Sequence, residues 1–508
     1  MRPDRAPAIR RTFLCEVWKL NLNNIKALVV VLVIAALVFR AAKPICLRFM
    51  DEADFTTRRA AWFILTVAVF TSPSFWIYAA VAVPVCIWAG RRDSNPVALY
   101  LLLIFAAPAL SAHIPKLIDL DQQRLLALTV LVPALLRRTP SSPLAAPPGS
   151  SSGVAGFLLF SFCTIQALLF ASYESWTSVL RREVTLLLTI LIPFLAISKT
   201  IRNYRSIPDA MAAYLLSCVI MAPLAVFETM RGWQLYALVA DNWGMGVNPF
   251  GYLMRGGQLR ALVATDHSLT LGIVLAIGFG FSVYLMRTWK AGRPAVITYA
   301  LLWAGLFSSY ARSGWISAVL ILLVYLWLLP GGTGRVTKAG ILLLLGGAVA
   351  SLTPFGQRMI SSLPFIGRGE DGSVDYRQQL FEESMKFIPR HPWFGDLLIR
   401  QKMTALYQGQ GIVDLVNGYL KVALLYGLVT LGVVVLFMLV AFGKTLRASM
   451  RARLHDESAA GVGSILAASM LGTFFFIWTT GIPDQLWMLT GLGLAYARVI
   501  NSGAYRPS

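Results

Sequence analysis

GSVDYRQQLFEESMKFIPRHPWFGD, residues 372–396, sits inside a polar stretch, 354–417, that balances seven basic residues with seven acidic ones in a chain made otherwise of membrane-length apolar runs. A helix crossing a bilayer needs about 20 consecutive apolar residues, and this stretch has none to offer. It must lie at a membrane face. A polytopic chain that keeps one large loop, and fills it with Arg, Asp, Glu, His and aromatic side chains, presents its chemistry there.

The flanking sequence bears this out. Of 508 residues, 57% are hydrophobic and only 14% are charged, against about 25% charged in soluble globular proteins. The composition is that of an integral membrane protein. The net charge of +21 does not point to nucleic acid, because the excess sits in short clusters between apolar runs, such as Arg91/Arg92, Arg137/Arg138, Lys199/Arg202/Arg205, Arg287/Lys290/Arg293 and Lys444/Arg447/Arg451/Arg453. Such clusters mark the cytoplasmic side. The five cysteines form no CxxC pair, so neither a disulfide framework nor zinc is expected.

Apolar runs fall near 27–42, 61–89, 96–112, 125–136, 154–171, 184–198, 208–227, 263–286, 296–309, 313–330, 339–353, 418–442, 462–480 and 486–500. They predict an all-α polytopic fold of about 12–14 transmembrane helices with one large periplasmic loop containing short helices. The expected order is a basic cytoplasmic N-terminus (1–26), N-terminal helices (27–136), a Pro/Ser-rich cytoplasmic linker (137–153), central helices (154–353) with a periplasmic segment at 228–262, the large loop (354–417), C-terminal helices (418–500) and a tail (501–508). Segment 61–89 reads as one long run interrupted at Pro73 and Pro84. No Asp, Glu or Lys stands near the middle of a confident span, where ion-coupled transport places its ionisable groups.

Two stretches on the expected outer face carry candidate chemistry. In 228–262, Trp233, Tyr236, Trp243, Phe250 and Tyr252 interleave with Arg231, Arg255 and Arg260; the aromatics suit either an interfacial belt or a platform for glycan. Arg260 stands apart, on a face where topology needs no positive charge. In the large loop a helix is predicted with Asp375 as N-cap, Gln378 in the capping-box position, and Tyr376, Leu380, Ser384 and Phe387 on one face, stopping before Pro389. That reading puts Arg377 in the first turn, where a cation opposes the macrodipole unless an anion docks beside it; pairing with Asp375 or Asp371 is the structural alternative. Arg312, in the short turn SSYARSGW (308–315), lies at the outer boundary. Three arginines on one face suit a diphosphate, held without metal.

At these residues the sequence resembles the O-antigen ligase and Wzy-type polymerase superfamily of bacterial envelope glycosyltransferases. The pattern comprises Arg260 entering a span, the YARSGW turn, the YRQQLFEESMKFIPRHPWFGD segment and VNGYLKVALLYGLVTLG, and covers residues 180–500. The resemblance implies transfer of a glycan from an undecaprenyl diphosphate carrier to an acceptor at the periplasmic face of the bacterial inner membrane, with inversion and without a nucleotide sugar; no cofactor is expected, and no metal, since no Cys/His cluster or DxD-like carboxylate group stands on the outer face. It implies that Arg260 and Arg377 hold the diphosphate, assisted by Arg312; Trp233, Trp243, Tyr252 and Asn417 are the expected glycan contacts. Ligases carry histidine where this chain has Val416, which leaves Asp414, His391, Glu382 or Glu383 as base candidates and favours a polymerase over a ligase. Membrane lipids, a flippase and a chain-length regulator are the expected partners; a lipid-linked oligosaccharide transporter is the reading from another class.

Overall fold

The computed structural model describes residues 22–114, 118–137, 153–245, 254–255, 257–290, 292–353, 357, 371–407 and 413–502. The first 21 residues, the linker over 138–152, Phe250, Tyr252, the loop over 358–370 and the tail from 503 lie outside the described residues. Among those described, sheet is limited to two antiparallel pairs of two-residue strands, β1 (Ala112–His113) with β2 (Asp119–Leu120) and β3 (Met254–Arg255) with β4 (Gln258–Leu259). Everything else of regular structure is helical, and six helices are long and apolar enough to cross a membrane.

The N-terminal block comprises α1 (Leu22–Cys46), α2 (Glu52–Thr71), α3 (Phe75–Arg92), α4 (Pro96–Leu103) and α5 (Gln122–Leu136). The run read as one segment over 61–89 is in fact a hairpin. Ser72, Pro73 and Ser74 separate α2 from α3, and the Ser74 hydroxyl caps the new helix by accepting the Ile77 amide at 3.4 Å. The break follows from proline, which cannot donate to a helix ladder and disfavours the helical conformation of its predecessor.

Where α2, α3 and α8 (Ser206–Arg231) meet, a buried ion cluster ties the ends together. Arg58 donates to both oxygens of Asp93 (2.7 and 2.8 Å) and to both oxygens of Asp209 (2.5 and 3.0 Å). Asn95 adds bonds to Asp209 Oδ2 and to the Ser206 carbonyl, each 2.9 Å. Arg58 also reaches Met50 Sδ, just past the end of α1, at 3.5 Å. Thus α1 finishes at this basic end of the bundle and, at about 1.5 Å per residue, begins at the far one. With the hairpin counted as two helices, α1 runs towards this end, and Leu22, inside the basic stretch expected over 1–26, starts at the far one.

The rest of the bundle runs through α6 (Gly153–Ser172), α7 (176–200), α8, the short α9 (Ala237–Asn242), α10 (Ser268–Thr288), α11 (Gly292–Ser308), α12 (Arg312–Leu328) and α13 (Gly332–Ser351). Helix α10 packs against α8, α11, α12 and α17 (Glu457–Thr479), and it is apolar on all sides, as a helix at the centre of such a bundle must be. It meets α12 at Gly272 and Gly314, where a Cβ on Gly314 would come within 2.8 Å of the Gly272 backbone; small residues let membrane helices approach this closely. In α5 and α7, π-helical turns (Ala127–Leu131 and Leu187–Leu191) precede Pro133 and Pro193. The carbonyl of Thr189, which Pro193 has no N–H to satisfy, accepts the Gln123 amide at 3.3 Å, a local repair of the broken ladder.

At the opposite, loop end, α14 (Asp371–Phe387) and α15 (Ile399–Lys402) form a small cap over α16 (Gly418–Ala452). Leu380, Ile399, Met403, Leu406, Val413 and Leu415 pack there on Leu424 and Leu425. Tyr376 and Phe387 lie against this cluster and Ser384 is buried, as their helical spacing predicts. The cap is held by a break in α16 at Gly427, whose φ of 81° and ψ of 173° are open to glycine alone. The HPWFGD turn inserts its backbone into this break. Leu428 and Val429 donate to the Pro392 and Trp393 carbonyls (2.7 and 3.3 Å), and Asp396 donates to the Leu424 carbonyl at 2.8 Å. Neither Gly427 nor Gly395 has room for a Cβ, which would lie 2.1 Å from the Trp393 carbonyl and 2.6 Å from the Gly427 nitrogen respectively. Two helices, α17 and α18 (Gln485–Asn501), complete the chain.

Candidate functional site

The loop end is organised around a residue that sequence reading passed over. Glu228, in the last turn of α8, is wholly buried, and its carboxylate accepts the amides of Leu235 (2.9 Å), Leu262 (3.0 Å) and Val263 (2.9 Å). Val263 is held at a φ of 52°. The segment before α10 is thereby fixed against α8, and Ala261 donates to the Ser308 carbonyl at 3.0 Å.

Fixing that segment delivers arginines to the turn between α11 and α12. Arg260 Nε donates to the Ser309 carbonyl at 3.4 Å and Arg255 Nη1 to the Tyr310 carbonyl at 3.3 Å. Arg312 opens α12 two residues further on. Arg260 therefore precedes α10 by a full segment, since the helix begins only at Ser268.

Arg377 joins from the loop. Its helix starts at Asp371, so Asp375 is no N-cap and Arg377 lies in the second turn; Gln378, expected in a capping box, instead donates to Glu382 at 3.0 Å, one turn on. The expected alignment of Arg377 with a helix N-terminus is corrected accordingly. What holds Arg377 is different. Nη2 lies 3.5 Å from the Thr479 carbonyl at the end of α17, and the side chain makes no ion pair among the described residues. Burial, and then the Arg255 guanidinium nearby, push its pKa down. An anion placed between these cations would relieve both costs.

Two further groups lie beside the arginines. The Tyr376 hydroxyl donates to the Asp414 carbonyl (2.9 Å) and accepts the Asp414 amide (3.0 Å), which pins the Asp414 backbone to α14 with its side chain exposed and near enough to His267 to act on its charge. His267 caps α10 by accepting the Leu269 amide on Nδ1 at 3.1 Å. Burial, then Arg260, pushes its pKa down, while Asp266 and Asp414 pull the other way. A neutral ring that accepts at Nδ1 must carry its proton at Nε2, so His267 is set up to donate there.

The remaining candidates are placed elsewhere or otherwise employed. His391 is exposed in the turn that enters the α16 break. Glu383 pairs with Lys386 at 2.7 Å. Asn417 caps α16, its side-chain oxygen accepting the Tyr419 and Leu420 amides at 3.0 and 3.2 Å. Trp243 is no glycan platform: it is buried, stacks on Tyr78 and donates from Nε1 to the Ser72 carbonyl at 3.1 Å. Its site is filled because α9 folds back onto the α2–α3 hairpin turn. Trp233 is partly buried against Phe227.

Residues 297–396 match the family model described as O-Antigen ligase. Over this stretch the chain is similar to the O-antigen ligase family. The match agrees with the resemblance to the ligase and Wzy-type superfamily, a family of glycosyl-transfer enzymes. It takes in the Ser309–Arg312 turn, Arg377 and the HPWFGD turn, whereas Arg255, Arg260, His267 and Asp414 come from flanking sequence. No curated protein matches the chain.

Proposed function

We propose that this chain is a polysaccharide polymerase that joins undecaprenyl-diphosphate-linked oligosaccharide units at the periplasmic face of a bacterial inner membrane. The observation that carries the reading is the gathering of Arg255, Arg260 and Arg312 on one turn with Arg377 opposite, at the end of the bundle away from the basic clusters. Guanidinium groups bridge phosphate oxygens in pairs, and a polyprenyl diphosphate is the polyanion released when a glycan leaves such a carrier.

In the reaction, an acceptor hydroxyl forms a bond to the anomeric carbon of the carrier-linked sugar from the face opposite the leaving group, the bond from that carbon to the phosphate oxygen breaks, and configuration inverts. The departing diphosphate takes the electron pair and is stabilised by the arginines, where charge develops in the transition state. The hydroxyl proton passes to a carboxylate. Asp414 is the base candidate beside the cluster, while His267, donating from Nε2, serves the phosphate or a sugar oxygen. No step needs a metal ion or cofactor.

Purified protein supplied with a carrier-linked repeat decides among the activities. Longer carrier-linked products are expected. Glycan appearing on a lipid A core acceptor would make the chain a ligase, and movement of glycan across the bilayer with no new glycosidic bond would make it a transporter.

A further inference from the structure

A cavity opens beside the arginine cluster, with a volume of roughly 440 Å³, within the range of small-molecule sites. Its walls come from the start of α5, the segment leading into α10 and the start of α18, and they present Asp119, Asp121, Arg124, Asp266, Asp484 and Gln485. Arg124 is already engaged, donating to the Asp119 carbonyl (2.6 Å) and to Thr189 Oγ1 (3.1 Å) and lying 3.3 Å from Asp121. Asp266 and Asp484 make no ion pair among the described residues. Gln485 is 4% exposed, lines the cavity, and its side-chain oxygen has no donor among the described residues. A buried acceptor left without a donor is costly, so a donor from an occupant would be favoured there.

The wall is thus rich in acceptors, and its occupant must be rich in donors. A metal ion does not fit: no group of three or more His, Cys, Asp or Glu side chains among the described residues is placed to hold one. Arg124 offsets one of the four carboxylates, and a polyol, whose hydroxyls can donate to several separate acceptors at once, suits the remaining ones and the Gln485 amide. The chain itself links the cavity to the cations. Asp266 lines it while the next residue, His267, stands beside Arg260, and Asp484 and Gln485 follow closely on Thr479, whose carbonyl faces Arg377.

We propose that this cavity is a glycan subsite, in which the carboxyl groups of Asp266 and Asp484 and the amide of Gln485 bind sugar hydroxyls adjoining the diphosphate site. The assignment rests on the polyprenyl-diphosphate reading for its neighbour but concerns separate residues, so the two can fail separately. The test uses full-length protein in detergent and two probes: undecaprenyl diphosphate without sugar, and the lipid-free oligosaccharide released by mild acid from the host's own carrier-linked repeat. Gln485→Leu and Asp484→Asn should each weaken oligosaccharide binding at least tenfold and leave undecaprenyl diphosphate binding within twofold, whereas Arg377→Ala should do the reverse. Should Asp484→Asn fail to fold, Gln485→Leu decides alone. Oligosaccharide that fails to bind wild-type protein, or binds Gln485→Leu as tightly, overturns the subsite while leaving the diphosphate reading intact. Undecaprenyl diphosphate binding that ignores Arg377→Ala overturns the diphosphate reading instead.

Discussion

Asp484 stands between α17 and α18 with its pKa pushed up to about 7, first by burial and then by the carboxylates of Asp266 and Asp121, against which Arg124 pulls weakly. A carboxyl whose folded pKa is raised favours the protonated form. Its stabilising contribution is therefore full below the ordinary carboxylate value of about 4 and is lost as pH rises to about 7. Melting temperatures of wild type and Asp484→Asn, followed from pH 4.5 to 7.5, should diverge, with wild type losing at least about 2 °C relative to the variant, the shift that 1 kcal/mol gives in a mid-sized domain. Parallel curves would show that Asp484 ionises freely. No sequence pattern announces this residue, because a single aspartate in a short turn looks like any helix entry. The arginines stand out in the sequence by contrast, Arg260 as a cation on a face where topology asks for none, Arg312 by its place in a short turn and Arg377 by its place early in a helix. Trp243 was misread because an aromatic between arginines has the same spacing whether its ring meets solvent or core.

Among the elements, the break in α16 does most to position the site, since the HPWFGD turn reaches the bundle only through it. The glycine-only conformation at Gly427 would cost another residue about 1–3 kcal/mol, and a Cβ would also strike the Trp393 carbonyl. Gly427→Ala should release the cap. Limited proteolysis in detergent should then cut within 388–396 far faster than in wild type, while α16 still inserts; an unchanged digestion pattern would refute this role. The sequence showed the HPxxG turn and the following glycines as separate pieces, but not that each supplies hydrogen bonds the other lacks. Helix α14 was found but started too late, since Asp375 and Gln378 imitate a capping box within a helix already under way. The α2–α3 hairpin was hidden by length, because one apolar run with an internal proline fits a kinked helix as well as a turn.

For the whole molecule, alternating basic clusters predict the direction of each helix, and the Arg58–Asp93–Asp209 cluster joins three of those ends in one buried network. Only α1 departs. Single cysteines replacing Leu22, Lys386 and Leu454, each exposed, in a Cys15→Ser background test this arrangement with an impermeant maleimide on intact spheroplasts. Leu22 and Lys386 should label and Leu454 should not; labelling of Leu454 together with Lys386 would contradict the arrangement of the two ends. The central claim is that guanidinium groups at the loop end drive release of a diphosphate-linked glycan. Its most direct measurement is chain extension by wild type and Arg377→Ala, at equal abundance, from purified carrier-linked repeat in excess EDTA. Wild type should extend the chain, and the variant should be slower by about a hundredfold or more, the loss expected when one preorganised donor to a developing anion is removed. Extension by Arg377→Ala at the wild-type rate would contradict the account.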